Sequence, residues 1–428
     1  MSGSVLAISP TALIPPAVLA HIFQFTHRRS GLNFAANAEL AETALVSKQW
    51  LEAARNALYT HVYLGTEDDL DETVEIFLET LQESPTLAQR VRAIDFGSFR
   101  MYRGETKGLA EAIKLCDNLR EIRIWGWNGY ELEELIDVLK SKTKLQVFEI
   151  NRTSLTDIPC DYFCNVREFI GMMQGWPELR SVTVWMNTLD YDSSGWDDDE
   201  DAEEKSGGVR ARKPVPVIPG VCSQLQHFDW RCGLLDDSHL EAISNMAPSI
   251  CEFQLKGSGL TRQDLLAPLQ LWAPRLTSLV LNFYNKRFSW GVPEYDKMRI
   301  VDCHLDDIIS AMPLLRVLDI SSLYIKPATL ANGFADLFAL DYRIAPEELD
   351  EFISLLSDPS ALPALRELNL DPRVSEEKYD SDRDSSVQFD SARFEVFRKV
   401  CRKGGIKIRD HFHHMMMELG MDTEGLFD

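Results

Sequence analysis

Three histidines gather near the end of the sequence, His411, His413 and His414, and imidazole is the side chain metals take most often. Beyond histidine, zinc sites usually draw a Cys or a carboxylate at ligand spacing. None stands around these three, so they read as a solvated tail. Cys160 and Cys164 lie one helical turn apart with no histidine in register, which reads as two buried or edge thiols. The carboxylate pairs Asp236-Asp237 and Asp306-Asp307 have the composition of an acid–base couple. Each stands at a predicted helix start, however, where the helix dipole favours negative charge. Neither GxGxxG nor GxxxxGK occurs to cradle a phosphate, and there is no GxSxG elbow or HExxH pair. The inventory predicts no enzyme, no metal site and no cofactor. What remains is recognition. Trp125, Asn151, Trp185, Arg231, Lys256 and Asn282 all occupy one position of a recurring phrase, and exposed Trp and Arg are the residues that most often anchor a partner.

That phrase is what must position them. Nine times a large apolar residue is followed three and five residues later by two more, starting at Val91, Leu119, Leu145, Leu179, Leu225, Ile250, Leu276, Leu315 and Leu365. The last two apolar positions alternate with polar ones, the period of a strand buried on one face. Between the phrases run apolar residues at helical spacing, such as Leu132, Leu135, Ile136 and Leu139, or Leu349, Phe352, Ile353 and Leu356. Pro177, Pro248, Pro274, Pro313 and Pro363 each stand two residues before a phrase, where they end the helix and hand the chain to the strand. Each unit is strand, loop, helix, so successive strands should run parallel. A unit this small cannot bury its apolar face alone and must stack on its neighbours.

The phrases resemble the leucine-rich repeat, LxxLxL followed by a turn and a helix, over about three quarters of the chain. The resemblance implies an α/β solenoid with parallel strands. The ninth position, usually Asn or Cys in that family, conforms only at Asn187, so an irregular array with uneven loops is expected. The third, fifth and seventh positions are expected to line the concave face. The seventh-position residues named above are therefore the candidate partner contacts. For Trp125 and Trp185 two readings stand open: partner anchors, or satellite core beneath neighbouring loops.

The net charge is −23, from 67 acidic and 44 basic side chains, which argues against a nucleic-acid backbone or an anionic membrane as partner. No apolar stretch approaches the length of a membrane span, and no basic region precedes an apolar run at the start. A soluble protein of the cytoplasm or nucleus with reduced thiols is expected.

The first sixty-four residues follow a different period. Ile14, Pro15 and Pro16 lead into Val18, Leu19, Ile22 and Phe23, a helical stripe. Leu40, Ala44, Leu45, Val46, Trp50, Leu51 and Ala54 make a second apolar helix. On IPPAVLAHIF (14–23) and LVSKQW (45–50), this block resembles an F-box, a three-helix module that docks onto the adaptor subunit of cullin-RING, SCF-type ubiquitin ligases. Ile14 replaces the usual leucine, and the connection around residues 30–39 is longer than usual. The ALYTHVYL segment (57–64) resembles the exit segment of many fungal members. The resemblance implies adaptor contacts at Ile14, Pro15, Pro16, Leu19, Ile22, Phe23, Leu45, Val46, Lys48 and Trp50, and no catalysis by this chain. A plain end-cap for the repeats is the alternative, and Trp50 is open between interface and core.

The expected organisation is a tail (1–12), the small all-α module (13–64), the repeats (65–411) and a second tail (412–428). The repeats are interrupted by an acidic insert at about 189–213 and an acidic, serine-rich loop at about 374–390. The insert reads either as a solvated loop or as a regulated or basic-partner contact, with Ser193, Ser194 and Ser206 available to modification.

Overall fold

The computed structural model of the chain describes residues 14–15, 18–19, 22, 40, 42–64, 70–97, 105–127, 131–151, 163–185, 214–231, 235, 237–256, 260, 262–282, 305–321, 324–331, 334–372 and 391–409. The tails 1–12 and 412–428, the insert 189–213 and the loop 374–390 lie outside them, as do Pro16, Phe23, Cys160, Asn187, Asp236 and the three histidines.

The chain divides into two compact units, residues 1–163 with 175–179, and residues 164–174 with 180–428. In the first, α1 (Lys48–Thr60) runs directly into β1 (His61–Leu64). After it come α2 (Leu70–Glu83), α3 (Pro85–Ala88), β2 (Ala93–Phe96), α4 (Glu105–Leu115), β3 (Glu121–Ile124), α5 (Leu132–Lys140) and β4 (Val147–Ile150). The strands pair in chain order, all parallel and in register, with His61 opposite Ala93, Ala93 opposite Glu121 and Glu121 opposite Val147. Residues 61–64, read from sequence as the close of the helical module, are thus the first strand of the sheet.

In the second unit α6 (Val166–Met173) precedes β5 (Ser181–Val184) and β6 (His227–Trp230). Next come α7 (Asp237–Met246), β7 (Glu252–Lys256), α8 (Arg262–Trp272), β8 (Ser278–Asn282), α9 (Asp306–Ile309) and β9 (Val317–Ser321). The unit ends with α10 (Pro327–Leu330), β10 (Ala339–Ile344), α11 (Leu349–Ser357), β11 (Glu367–Pro372), α12 (Ser391–Gly404) and β12 (Lys407–Ile408). These eight strands also pair parallel in chain order. The nine phrases are β2–β9 and β11. The structure adds β1, β10 and β12.

Burial follows the predicted period. Alternate residues of β1, β3, β4 and β5 are enclosed while their neighbours stay half-open. The apolar positions of the phrases, among them Ile122, Ile124, Phe148, Ile150, Phe253 and Leu255, are fully buried. The helices predicted between the phrases form, and where a proline precedes the next phrase the helix ends before it. The second helix predicted in the first sixty-four residues, through Leu40, Leu45, Val46 and Ala54, is instead broken at residues 45–47, and α1 starts afresh at Lys48. Each unit is an α/β solenoid of parallel strands and intervening helices.

Two tryptophans satisfy acceptors at helix ends. Trp176, just ahead of Pro177, donates from its indole nitrogen to the Leu139 carbonyl at 2.8 Å and stacks on Phe148 at 4.9 Å. Trp272, two residues ahead of Pro274, donates to the Ala247 carbonyl at 3.0 Å and leans on Phe253 at 5.0 Å. Both carbonyls lie in the last turn or just past the end of a helix, where acceptors lack intrahelical partners.

Candidate functional site

The N-terminal module has a small core of Leu19, Leu40, Ala53, Ala54 and Ala57, with Ile14, Ala44, Trp50 and Leu58 packed on it. The polypeptide then makes a turn that turns two large apolar residues outward. Leu45 and Val46 donate their amides to the Glu42 and Thr43 carbonyls at 3.1 and 3.2 Å. Ser47 follows as the N-cap of α1, its hydroxyl accepting from the Trp50 amide at 3.2 Å. Leu45 is 86% exposed and Val46 56%, and Val18 and Ile22 are also exposed. Lys48 sits exposed at the first position of α1, where no acidic residue occupies the first turn. A cation there opposes the helix dipole, so the module's own stability does not account for it.

This sorts the expected adaptor contacts. Leu45, Val46, Ile22, Lys48 and Pro15 are exposed. Leu19 is not: at 1% exposure it is core, which corrects its assignment as a contact. Its place on the same helical stripe as Ile22 did not reveal that α1 covers one and not the other. Ile14 and Trp50 are half-buried against the core, which makes Trp50 partly structural. Pro16 and Phe23 are outside the described residues. Leu19→Ala is therefore expected to destabilise the module by about 2–5 kcal/mol, visible as a lower urea midpoint. An unchanged midpoint would return Leu19 to the surface.

On the strand face of the first unit a charge ladder crosses four strands. Asp95 receives His61 Nε2 at 2.8 Å and an Arg123 nitrogen at 3.1 Å. Arg123 reaches on to Glu121 and Glu149, both at 3.3 Å. Burial alone would raise the Asp95 carboxyl, but its bonds and charge contacts with His61 and Arg123 outweigh this and hold it below the usual carboxylate range. A depressed carboxylate adds stability above its unfolded value, about 3.9. That stability is lost as pH falls through the lower folded value. Asp95→Asn should flatten the acid limb of the unit's unfolding curve below about pH 4. An acid limb that keeps its slope would refute the assignment.

Trp125, next along, is 37% exposed. Gly97, at φ +144°, makes room for it, since a Cβ there would come within 2.6 Å of Trp125 Cβ. Asn151 is 9% exposed; it is part of the packed sheet, not an open contact.

In the second unit Arg231 is clamped on Asp229 through three hydrogen bonds of 2.8–3.1 Å. Its guanidinium lies over the Trp185 ring at 4.0 Å, a pre-formed cation–π plate. Lys256, expected to stand open, is 7% exposed. Asn282 occupies the expected register opposite Lys256. The sequence reading missed Asp319, Asp341, Arg343, Asn369 and Arg409 as site residues. Arg343 donates to Asp319 at 2.9 Å, and the Asn369 amide donates to Asp341 at 3.0 Å. The signal was present: Leu337, Leu340 and Tyr342 repeat the phrase with tyrosine in its last apolar slot. Tyr342 is fully buried and donates its hydroxyl to the Ile325 carbonyl at 2.7 Å.

The buried thiols Cys116, Cys222 and Cys401 are each pushed up to about 12 by burial, so they stay protonated and weakly nucleophilic at neutral pH. Among the described residues no group of three or more side chains could hold a metal ion. No described helix is long and apolar enough to cross a membrane.

No family model matches the chain, and no curated protein matches it. Among solved structures it is similar to a chain of the crystal structure of the Rad7 and Elc1 complex in yeast, at 14% identity and a TM-score of 0.37, over 87% of this chain and 92% of that one. It is also similar to the leucine-rich repeat-containing protein LegL7 from Legionella pneumophila, at 12% identity and a TM-score of 0.33, over 81% of this chain and 97% of that one.

Proposed function

We propose that the chain is a substrate receptor of an SCF-type ubiquitin ligase. Its N-terminal module docks on the ligase adaptor and its repeats hold a protein client. The observation that carries this reading is the outward pair Leu45 and Val46, at 86% and 56% exposure, set in the LVSKQW motif; Val18 and Ile22 are exposed as well. A module with so small a core gains from an apolar partner, and an apolar centre with a polar rim is how such partners are gripped. The chain itself does no chemistry in this reading. It raises the effective concentration of client beside the ubiquitin carrier, in the cytoplasm or nucleus. Mixing purified chain with purified adaptor should give a one-to-one complex on size-exclusion chromatography. No complex at micromolar concentration would leave the alternative, a repeat scaffold without ligase docking.

A further inference from the structure

Among the strand-face residues of the second unit, side-chain size is uneven. Val317 and Ala339 are partners in register on β9 and β10, and Val280 lies opposite Asp319 from β8. These small residues are part of the lining of a pocket of about 250 Å³. That is less than most small-molecule sites enclose; it suits a side chain or two. The ends of the pocket are charged. Arg231 and Lys256 stand toward β6 and β7, Asp319 and Asp341 line it on β9 and β10, and Glu367 and Arg409 pair beyond them. Arg231 is held by Asp229 and Trp185, Asp319 by Arg343 and Asp341 by Asn369. The groups are thus oriented before anything binds, which lowers the ordering cost of association.

Adjacent strands lie about 4.8 Å apart, so β7 to β10 spans about 14 Å, the reach of about four residues of extended chain. We infer that this pocket takes an extended client segment lying across the strands. An aliphatic side chain sits over Val280, Val317 and Ala339, an acidic residue reaches Lys256 and Arg231 on one side, and a basic residue reaches Asp341 on the other. The charge order selects this occupant, because a segment with two like charges meets repulsion at one end. The inference rests on reading the strand face as the client surface, but not on adaptor docking.

Three pools of fluorescein-labelled heptapeptides test it by fluorescence polarisation against the full chain. Each pool has a central aliphatic residue flanked two positions away on either side by one acidic and one basic residue, by two basic residues, or by two acidic residues. The mixed pool is expected to bind at least tenfold tighter than the others. Lys256→Glu should move the preference to the two-basic pool and Asp341→Lys to the two-acidic pool, gains that misfolding cannot produce. No binding by any pool, equal binding by all three, or an unchanged preference in either variant overturns the inference. Adaptor capture, measured in the same samples, reports separately on the docking reading.

Discussion

A chain carrying Leu45→Glu and Val46→Glu is expected to lose adaptor capture by at least about a hundredfold, with its urea midpoint unchanged. Fully burying a Leu or Val side chain is worth about 1.5–3 kcal/mol, and 1.4 kcal/mol is a factor of ten in affinity. Two of them account for the hundredfold, and buried glutamates add a desolvation penalty. Stability should not move, because both side chains already face water in the free protein and the turn that carries them is held by backbone bonds. Surface substitutions of this kind usually stay within about 0.5 kcal/mol. The comparison with Leu19→Ala is decisive. That change should lower stability and, at temperatures where the module still folds, leave affinity nearly intact. If Leu45 and Val46 can be replaced without effect on capture, the module docks by another surface or not at all.

Trp272→Ala is expected to destabilise the second unit by about 3–5 kcal/mol, the usual range for removing a fully enclosed large aromatic side chain. Trp272 is completely buried, packs on Phe253 and satisfies the Ala247 carbonyl just past the end of α7. The truncation opens a cavity and leaves that carbonyl without its donor. Trp272→Phe separates the two effects: most of the volume returns, and the remaining loss, about 1–3 kcal/mol, belongs to the unsatisfied acceptor. Because each repeat leans chiefly on its neighbours, hydrogen exchange should rise first in β7, α8 and β8. A uniform rise across the unit would mean the array melts as one block.

The periodic features were legible without coordinates. A strand buried on one face must place apolar residues at every second position, and a helix against a sheet must place them at three and four. Eight phrases in succession, at β2–β9, therefore announced eight parallel strands. The missed strand β10 had the same pattern, disguised by Tyr342, whose hydroxyl is acceptable in the core only because Ile325 offers a carbonyl. β1 was absorbed into the helical module because α1 reaches it with no intervening loop.

The site was legible as composition but not as surface. Ile22 and Leu19 share one stripe, yet one is exposed and the other enclosed, since periodicity says which residues face together and not what covers them. Asn151 occupies a position that ought to point outward, and the packing around it nonetheless encloses it, while Lys256 shows only 7% of its surface and lines a pocket wall. The same is true of charge. Nothing local pairs Asp95 with His61 and Arg123, which lie 34 and 28 residues away; only parallel strands in register bring them within bonding distance. The amino-acid order by itself determined the repeating strand and helix, because burial imposes its period on every unit. Which side chains are left for a partner, and which charges meet, was decided by the stacking of those units, because exposure and pairing belong to neighbours far apart in the chain.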